Sequence, residues 1–293
     1  MAFGPHLLLA VLEGLVTSAV LTLTAPGLSL VSGVMRVVNV AHGELFMLGA
    51  VLAWAIATSI GGSPAVGFMA ALVLAPLIVG AVALAAERLV LRKVNYDPEA
   101  TIVATIGLLY IIQQLALTFY GADARPVPPP FNVRISLPWF GYSGYKLSII
   151  AASALLLVVS WLVMTRTKAG LIMRATQYDR ETAQAFGIPV DRVYAGVFAL
   201  GAMLAAIAAV LIVPISQAHY LMGQDPLLLS FIVVIIGGLG SLRGTVVAAV
   251  LIGVSDGVIS MFFSPTLAKM IATLLVAMVL VFRPQGLFGR AVR

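Results

Sequence analysis

Apolar stretches recur along the chain with short polar breaks between them, at 7–25, 43–60, 66–91, 101–120, 147–164, 193–215, 227–240, 246–263 and 266–282. A membrane-spanning helix needs about 20 mostly apolar residues, so the pattern predicts about eight or nine such helices. The stretch 26–42 breaks the rhythm. Pro26, Gly27 and Gly33 interrupt it, and Arg36, Asn39 and His42 make it polar. Non-helical backbone at membrane depth survives only where protein or a wet cavity satisfies its amides, so this stretch is predicted as a broken or re-entrant segment. The expected fold class is an all-α polytopic membrane protein, a single domain over 1–293.

Composition narrows the function classes. Of 293 residues, 61% are hydrophobic and 10% charged, against about 25% charged in ordinary soluble domains. Too few ions remain to cover a water-facing surface, which excludes a soluble enzyme, a nucleic-acid reader and a disordered chain. The first ten residues carry no Lys or Arg, and the apolar stretch is too long for a signal h-region, so the start reads as the first span. Cysteine is absent, which removes disulfides and thiolate metal sites. Charge sorts along the chain. Arg36, Arg88, Arg92, Lys93, Arg166, Lys168, Arg174, Arg180, Arg192, Arg243, Arg283, Arg290 and Arg293 fall on one side, and Arg125, Arg134, Lys146 and Lys269 on the other. Positive charge marks the cytoplasmic face, so the loop 165–192 and the C-terminus are expected inside. Nine spans then put the N-terminus outside.

Two connections are long enough to hold structure. The outer one, 121–146, contains Pro126, Pro128, Pro129, Pro130 and Pro138, which stiffen it without supplying backbone donors. Its Trp139, Tyr142 and Tyr145 suit a membrane interface. In the inner loop 165–192, Thr176 and Asp179 have the spacing of a capping box. Gly187 and Pro189 follow as stop signals, so a helix of roughly 177–186 is predicted, with Ala183 and Phe186 as a small apolar face. A connector between spans needs only a few residues; a capped helix there suggests a contact surface.

Glycines mark a weak internal echo. The run Gly43 to Gly49 after the polar break has a counterpart in Gly237, Gly238, Gly240 and Gly244, which also lead into a span rich in small residues. Paired broken helices in two halves point to a transport path in membrane carriers. Gly33, Gly43, Gly237, Gly238, Gly240 and Gly244 are the expected break glycines, and 7–120 and 147–282 the expected pseudo-repeat halves.

Chemistry-bearing residues are few. No Gly-x4-Gly-Lys-Ser/Thr loop is present, so a nucleotide would have to be hydrolysed by another chain. His6, His42 and His219 are too scattered for a zinc set, and no Ser-His-acid arrangement is suggested. What remains is carboxylates in or near spans: Glu13, Glu44, Asp256 and Glu87. A carboxylate at bilayer depth costs about 2.5–3.5 kcal/mol on insertion scales and normally faces a partner or water. Glu87 precedes Arg88 and reads as interfacial. Glu13 and Asp256 sit among small residues, where a buried interhelical bond and a pathway role are equally open. Asn39, His42 and Glu44 cluster at the break beside Gly43 and are the strongest candidates for a translocation path or gate. No catalytic residue and no metal site is expected.

Three segments together resemble the LivH type of branched-chain amino-acid ABC importer permease: Gly27 to Ala50, with Asn39-Val40-Ala41-His42-Gly43-Glu44; the inner loop, with Asp179, Ala183, Gly187 and Ile188; and the glycine run 237–244 with the tail Arg283-Pro284-Gln285-Gly286-Leu287-Phe288-Gly289. The resemblance spans essentially the whole chain. It implies a permease subunit with no cofactor of its own in the cytoplasmic (inner) membrane of a bacterium. Its partners would be a second, related permease in a heterodimer, two cytoplasmic ATPases that bind the ATP, and a periplasmic or extracellular binding protein. Membrane lipid surrounds it, and nucleic acid is not a partner. The loop residues Asp179, Glu181, Ala183, Phe186 and Gly187 would couple to the ATPase, although Thr182 stands where the general importer pattern has alanine. Urea, short amides or other amino acids are alternative cargoes on this scaffold. A proton-coupled carrier working alone through Glu44 and Asp256 is the reading from a different class.

Overall fold

The computed structural model describes residues 3–60, 62–283 and 285–288; Pro284, Gly289, Arg290 and Arg293 lie outside them. Eight helices among the described residues are long and apolar enough to cross a membrane. In chain order they are α1 (Phe3–Val34), α2 (His42–Ser59), α3 (Pro64–Ala86, continued by the π-helical turn Glu87–Leu91) and α4 (Pro98–Tyr120). Then follow α5 (Gly144–Arg166), α8 (Val190–Ser216), α10 (Leu242–Phe262) and α11 (Pro265–Phe282). Between α5 and α8 lie two shorter helices, α6 (Lys168–Tyr178) and α7 (Arg180–Ala185). Helix α9 (Gln224–Gly237) is apolar but has only 14 residues, or about 21 Å at 1.5 Å per residue. That is shorter than the roughly 30 Å hydrocarbon layer. The protein is an all-α polytopic membrane protein.

Layering follows from side-chain size and polarity. Helix α8 lies at the centre, with 67% of its most apolar window buried, and α11 at the rim, with 11%. The central helix is rich in small residues; Ala202, Ala205, Ala206, Ala208 and Ala209 are all buried. Helices α1 and α10 cross closely because a side chain at Gly14 would strike the α10 backbone, its Cβ 2.7 Å from the Cα of Val254. Small residues at such crossings let backbones approach where no hydrophobic effect drives association. Several hydroxyls in this interior bond to backbone carbonyls or to each other. Ser18 donates to the carbonyls of Gly14 (2.8 Å) and Val250 (3.2 Å), and Thr245 donates to Ser29 (3.1 Å).

The broken segment is shorter than the sequence implies. Helix α1 runs unbroken through Pro26, Gly27 and Gly33 as far as Val34, and only 35–41 leaves the helix. A proline costs a helix one hydrogen bond, which neighbouring helices and hydroxyls offset inside a bundle. Gly27 is a contact point: a Cβ there would sit 2.6 Å from the carbonyl oxygen of Gly201 on α8. Gly33 likewise lies in α1 against Gly240. Gly43 and Gly244 lie within the first turns of α2 and α10, and Gly237 is the last residue of α9. Only Gly238 and Gly240, at φ 97° and 75°, form a true break between helices.

In the outer connection, β1 (Arg134–Ser136) pairs antiparallel with β2 (Gly141–Ser143). Of Trp139, Tyr142 and Tyr145, only Trp139 is exposed. Tyr142 and Tyr145 are buried, Tyr145 donating to the carbonyl of Leu211 on α8 at 2.7 Å; they fasten the hairpin to the bundle. The opposite end gathers much of the basic sequence. There Arg92 pairs with Asp191 at 2.9 Å, Gln177 donates to the Gly240 carbonyl at 3.1 Å, and the amide of Leu287 reaches Ile236 O at 2.8 Å.

Candidate functional site

After Val34 the chain turns at Arg36, in the left-handed region at φ 57°, and doubles back into the bundle. Nε2 of His42 lies 3.0 Å from the carbonyl of Thr24. Thr24 is ten residues before the end of α1, about 15 Å along its axis. The returning strand is held by polar contacts: the amide of Val40 donates to Thr105 Oγ1 of α4 (3.2 Å), and the amide of Ala41 to Asn39 Oδ1 (3.1 Å). The latter is an Asx turn, so buried Asn39 shapes the backbone that launches α2.

A carbonyl only accepts, so Nε2 of His42 carries the proton in this bond and Nδ1 of the neutral ring is an acceptor. That Nδ1 is buried with no partner among the described residues, and the same holds for Oε2 of Glu44. His42 and Glu44 are 0% and 1% exposed. Buried polar atoms without partners are rare and call for an explanation.

The opposite approach to this place comes from a segment that the sequence reading did not single out. Beyond α8 the chain turns at Gln217 (φ 62°), makes a β-bridge through Ala218 to Arg125, and runs over 217–223 to the start of α9. There Gly223 packs backbone to backbone on Gly43, and a Cβ on Gly43 would lie 2.7 Å from that of Leu227. Two helices, α2 and α9, thus begin side by side inside the bundle. Each N-terminus carries a partial positive charge; the Gln224 amide is bonded to Leu221 O (3.2 Å) and that of Glu44 to Ala41 O (3.1 Å). The counterpart of the break before α2 is therefore 217–223, and the glycine run 237–244 is the turn at the far end of α9. Ser230 of α9 and Thr101 of α4 add buried hydroxyls without partners. Their signal in sequence is faint: Thr101 and Thr105 sit four apart, on one helix face.

Asn39, His42 and Glu44 are all buried at the turn into α2; the other two candidates lie elsewhere. Glu13 forms a two-oxygen ion pair with Lys146 (2.6 and 2.8 Å), tying α1 to α5. Asp256 lies near Lys269 and Asp225, which pair at 2.6 Å between α11 and α9. Glu87 is not exposed at the protein surface. It is 1% exposed and accepts a 2.5 Å hydrogen bond from Tyr96. The π-helical turn and the left-handed Asn95 and Tyr96 (φ 53° and 55°) bring the two together. Burial first, then this bond, push the Tyr96 hydroxyl above its ordinary range.

The helix expected at 177–186 is two helices. Asp179 ends α6 and caps α7, accepting from the Thr182 amide (3.0 Å) and hydroxyl (2.5 Å). Those bonds hold its carboxyl below the usual carboxylate range. Thr176 is no cap; its hydroxyl donates to Ile172 within α6. Gly187, at φ 81°, closes α7 with its amide to Gln184 O (3.0 Å) and that of Ile188 to Ala183 O (3.1 Å), the Schellman pattern. Ala183 is buried, whereas Phe186 is 84% exposed, so the two do not share one apolar face. Arg180 stacks over Tyr194 at 5.4 Å, and Tyr194 meets Tyr96 edge-on at 4.8 Å. A contact chain therefore runs from α7 to buried Glu87.

Residues 10–282 match the family described as branched-chain amino acid transport system / permease component. The chain belongs to that family. Over 97% of its length it is 28% identical to the high-affinity branched-chain amino acid transport system permease protein BraD of Pseudomonas aeruginosa, covering 96% of that protein. It is 26% identical to the corresponding LivH protein of Escherichia coli strain K12, over 95% of this chain and 94% of the relative. The ribose import permease protein RbsC of Haemophilus influenzae is 25% identical over 61% of the chain and 58% of its own length. The relatives are transport permease subunits, and this permease is a multi-pass membrane protein of the same kind.

Proposed function

We propose that the chain is the translocation subunit of an ATP-driven importer for branched-chain or other small hydrophobic amino acids. Cargo is delivered by a binding protein outside, and ATP is hydrolysed on separate ATPase chains inside. The observation that carries this reading is the junction of α2 and α9: two helix N-termini, an unpaired imidazole nitrogen and an unpaired carboxylate oxygen inside an apolar bundle. An aliphatic amino acid needs polar groups for its zwitterionic head and apolar walls for its tail. Such a junction offers both, with Leu227 packed against Gly43. The relatives' names support branched-chain amino acids as the cargo class.

In this reading the basic end is cytoplasmic, so α7 and the C-terminal segment face the ATPases, and a second, related permease completes the pathway. Phe186, Asp179, Glu181 and Gly187 form the knob through which the ATPase acts. The test is reconstitution in vesicles with the partner permease, ATPases and binding protein. ATP-dependent uptake of leucine, isoleucine or valine is the expected result. Uptake by this chain alone, driven by a pH gradient without ATP, would replace the reading with a proton-coupled carrier.

A further inference from the structure

At the basic end a crevice of about 900 Å³ opens between the end of α5, α6, the α9–α10 turn and the C-terminal segment. Its apolar walls come from Leu30, Trp161, Met164, Leu239, Leu242 and Phe288. Most of its other polar groups are already engaged. The Thr165 hydroxyl donates to Trp161 O (2.7 Å), the Gln177 amide to Gly240 O (3.1 Å), and Ser241 accepts from the Gly244 amide (3.2 Å). Two guanidiniums remain, those of Arg174 and Arg243. Neither forms an ion pair among the described residues, and no Asp or Glu lines the crevice.

We propose that this crevice binds an anionic phospholipid, its phosphodiester between Arg174 and Arg243 and its acyl chain on the Trp161–Met164–Leu30 wall. Charge complementarity selects an anion, since guanidinium matches phosphate geometry with paired N–H donors. The apolar walls select a ligand with a hydrocarbon part. Trp161, 44% exposed, lies near the end of a membrane-spanning helix and gives the crevice an apolar edge on that helix's exposed face. Basic pockets between spans hold lipid headgroups by this combination. The site lies apart from the α2–α9 junction; Phe288 belongs to the C-terminal segment that the proposed function turns toward the ATPases, so binding is measured on the chain without them.

The test uses the full chain purified in detergent and short-chain phosphatidylglycerol, with phosphatidylcholine of the same chains as comparison, read by native mass spectrometry. One tightly held phosphatidylglycerol per chain is expected. R174Q/R243Q should lower its affinity roughly tenfold or more, given about 1 kcal/mol per basic residue near an anionic headgroup, and R174K/R243K, which keeps the charge and loses the paired donors, should fall between the two. Arg88 and Lys93 are exposed and lie outside the crevice, so R88Q/K93Q should leave the affinity unchanged. Equal loss in R88Q/K93Q would show a general charge effect and overturn the proposal. So would equal binding of phosphatidylcholine, or displacement of the lipid by inorganic phosphate at the same concentration, which would make this a simple anion site. Size-exclusion profiles matching the unsubstituted chain establish that the variants fold.

Discussion

At the residue scale, a few buried polar groups matter most: Asn39, His42 and Glu44 at the turn into α2, and Glu87 beneath the Tyr96 hydroxyl. Asn39, His42 and Glu44 stood out because polar side chains inside an apolar stretch have few explanations, and they share one buried turn in the fold. The Glu87–Tyr96 bond stayed hidden because the partner lies nine residues away and reaches Glu87 only through a π-helical turn and two left-handed residues. No helical periodicity carries that information. Glu44→Gln is expected to reduce transport several-fold with normal insertion, whereas Glu99→Gln, on the exposed first turn of α4, leaves it unchanged. Equal tolerance of both, measured as uptake in vesicles, returns Glu44 to a structural role. Tyr96→Phe leaves a buried carboxylate oxygen without its donor and should cost about 1–3 kcal/mol, read as a lower unfolding temperature in detergent. Asp179 carries a pH signature. A carboxyl held below its ordinary range stabilises the fold above that range, and the contribution is lost as pH falls through its lowered value. The α7 cap therefore persists at neutral pH and fails only in acid, which amide exchange of Thr182 would report.

At the element scale, helices were legible from apolar length and their junctions were not. The nine apolar stretches correspond to the eight candidate spans and α9. The prediction failed at Pro26, Gly27 and Gly33, because the signals that end helices in water also serve helix–helix contact in a bundle. The sequence cannot tell which use applies until the neighbouring helix is known. The same ambiguity concealed 217–223, whose role is set by Gly43 across the junction. The α1–α10 crossing gives a direct check. Gly257→Leu would drive a side chain into the backbone at Gly14 and should destabilise by about 1–3 kcal/mol or more, seen as reduced monodisperse yield and a lower melting temperature. At α7 the expected effect is functional. Gly187→Trp replaces a left-handed closing residue, and D179K/E181K reverses the charge on the first turn. Either should abolish stimulation of the partner ATPase while leaving expression and insertion intact; unchanged transport would remove α7 from the coupling role.

For the whole molecule, a polar junction lies inside the bundle, and a capped helix, α7, lies at the basic end; in the proposed function they serve as conduit and coupling surface. Class, family and span count follow from composition and motif, since they depend on properties summed over many residues. The meeting of α2 with α9, and the chain of contacts from α7 through Tyr194 and Tyr96 to Glu87, depend on single long-range approaches and needed coordinates. The central claim is that α7 faces the compartment where ATP is hydrolysed. The chain has no native cysteine, so Phe186→Cys supplies a unique probe at an 84% exposed position. A membrane-impermeant maleimide should leave it unlabelled in intact cells and label it in inside-out vesicles. Labelling in intact cells would contradict the account.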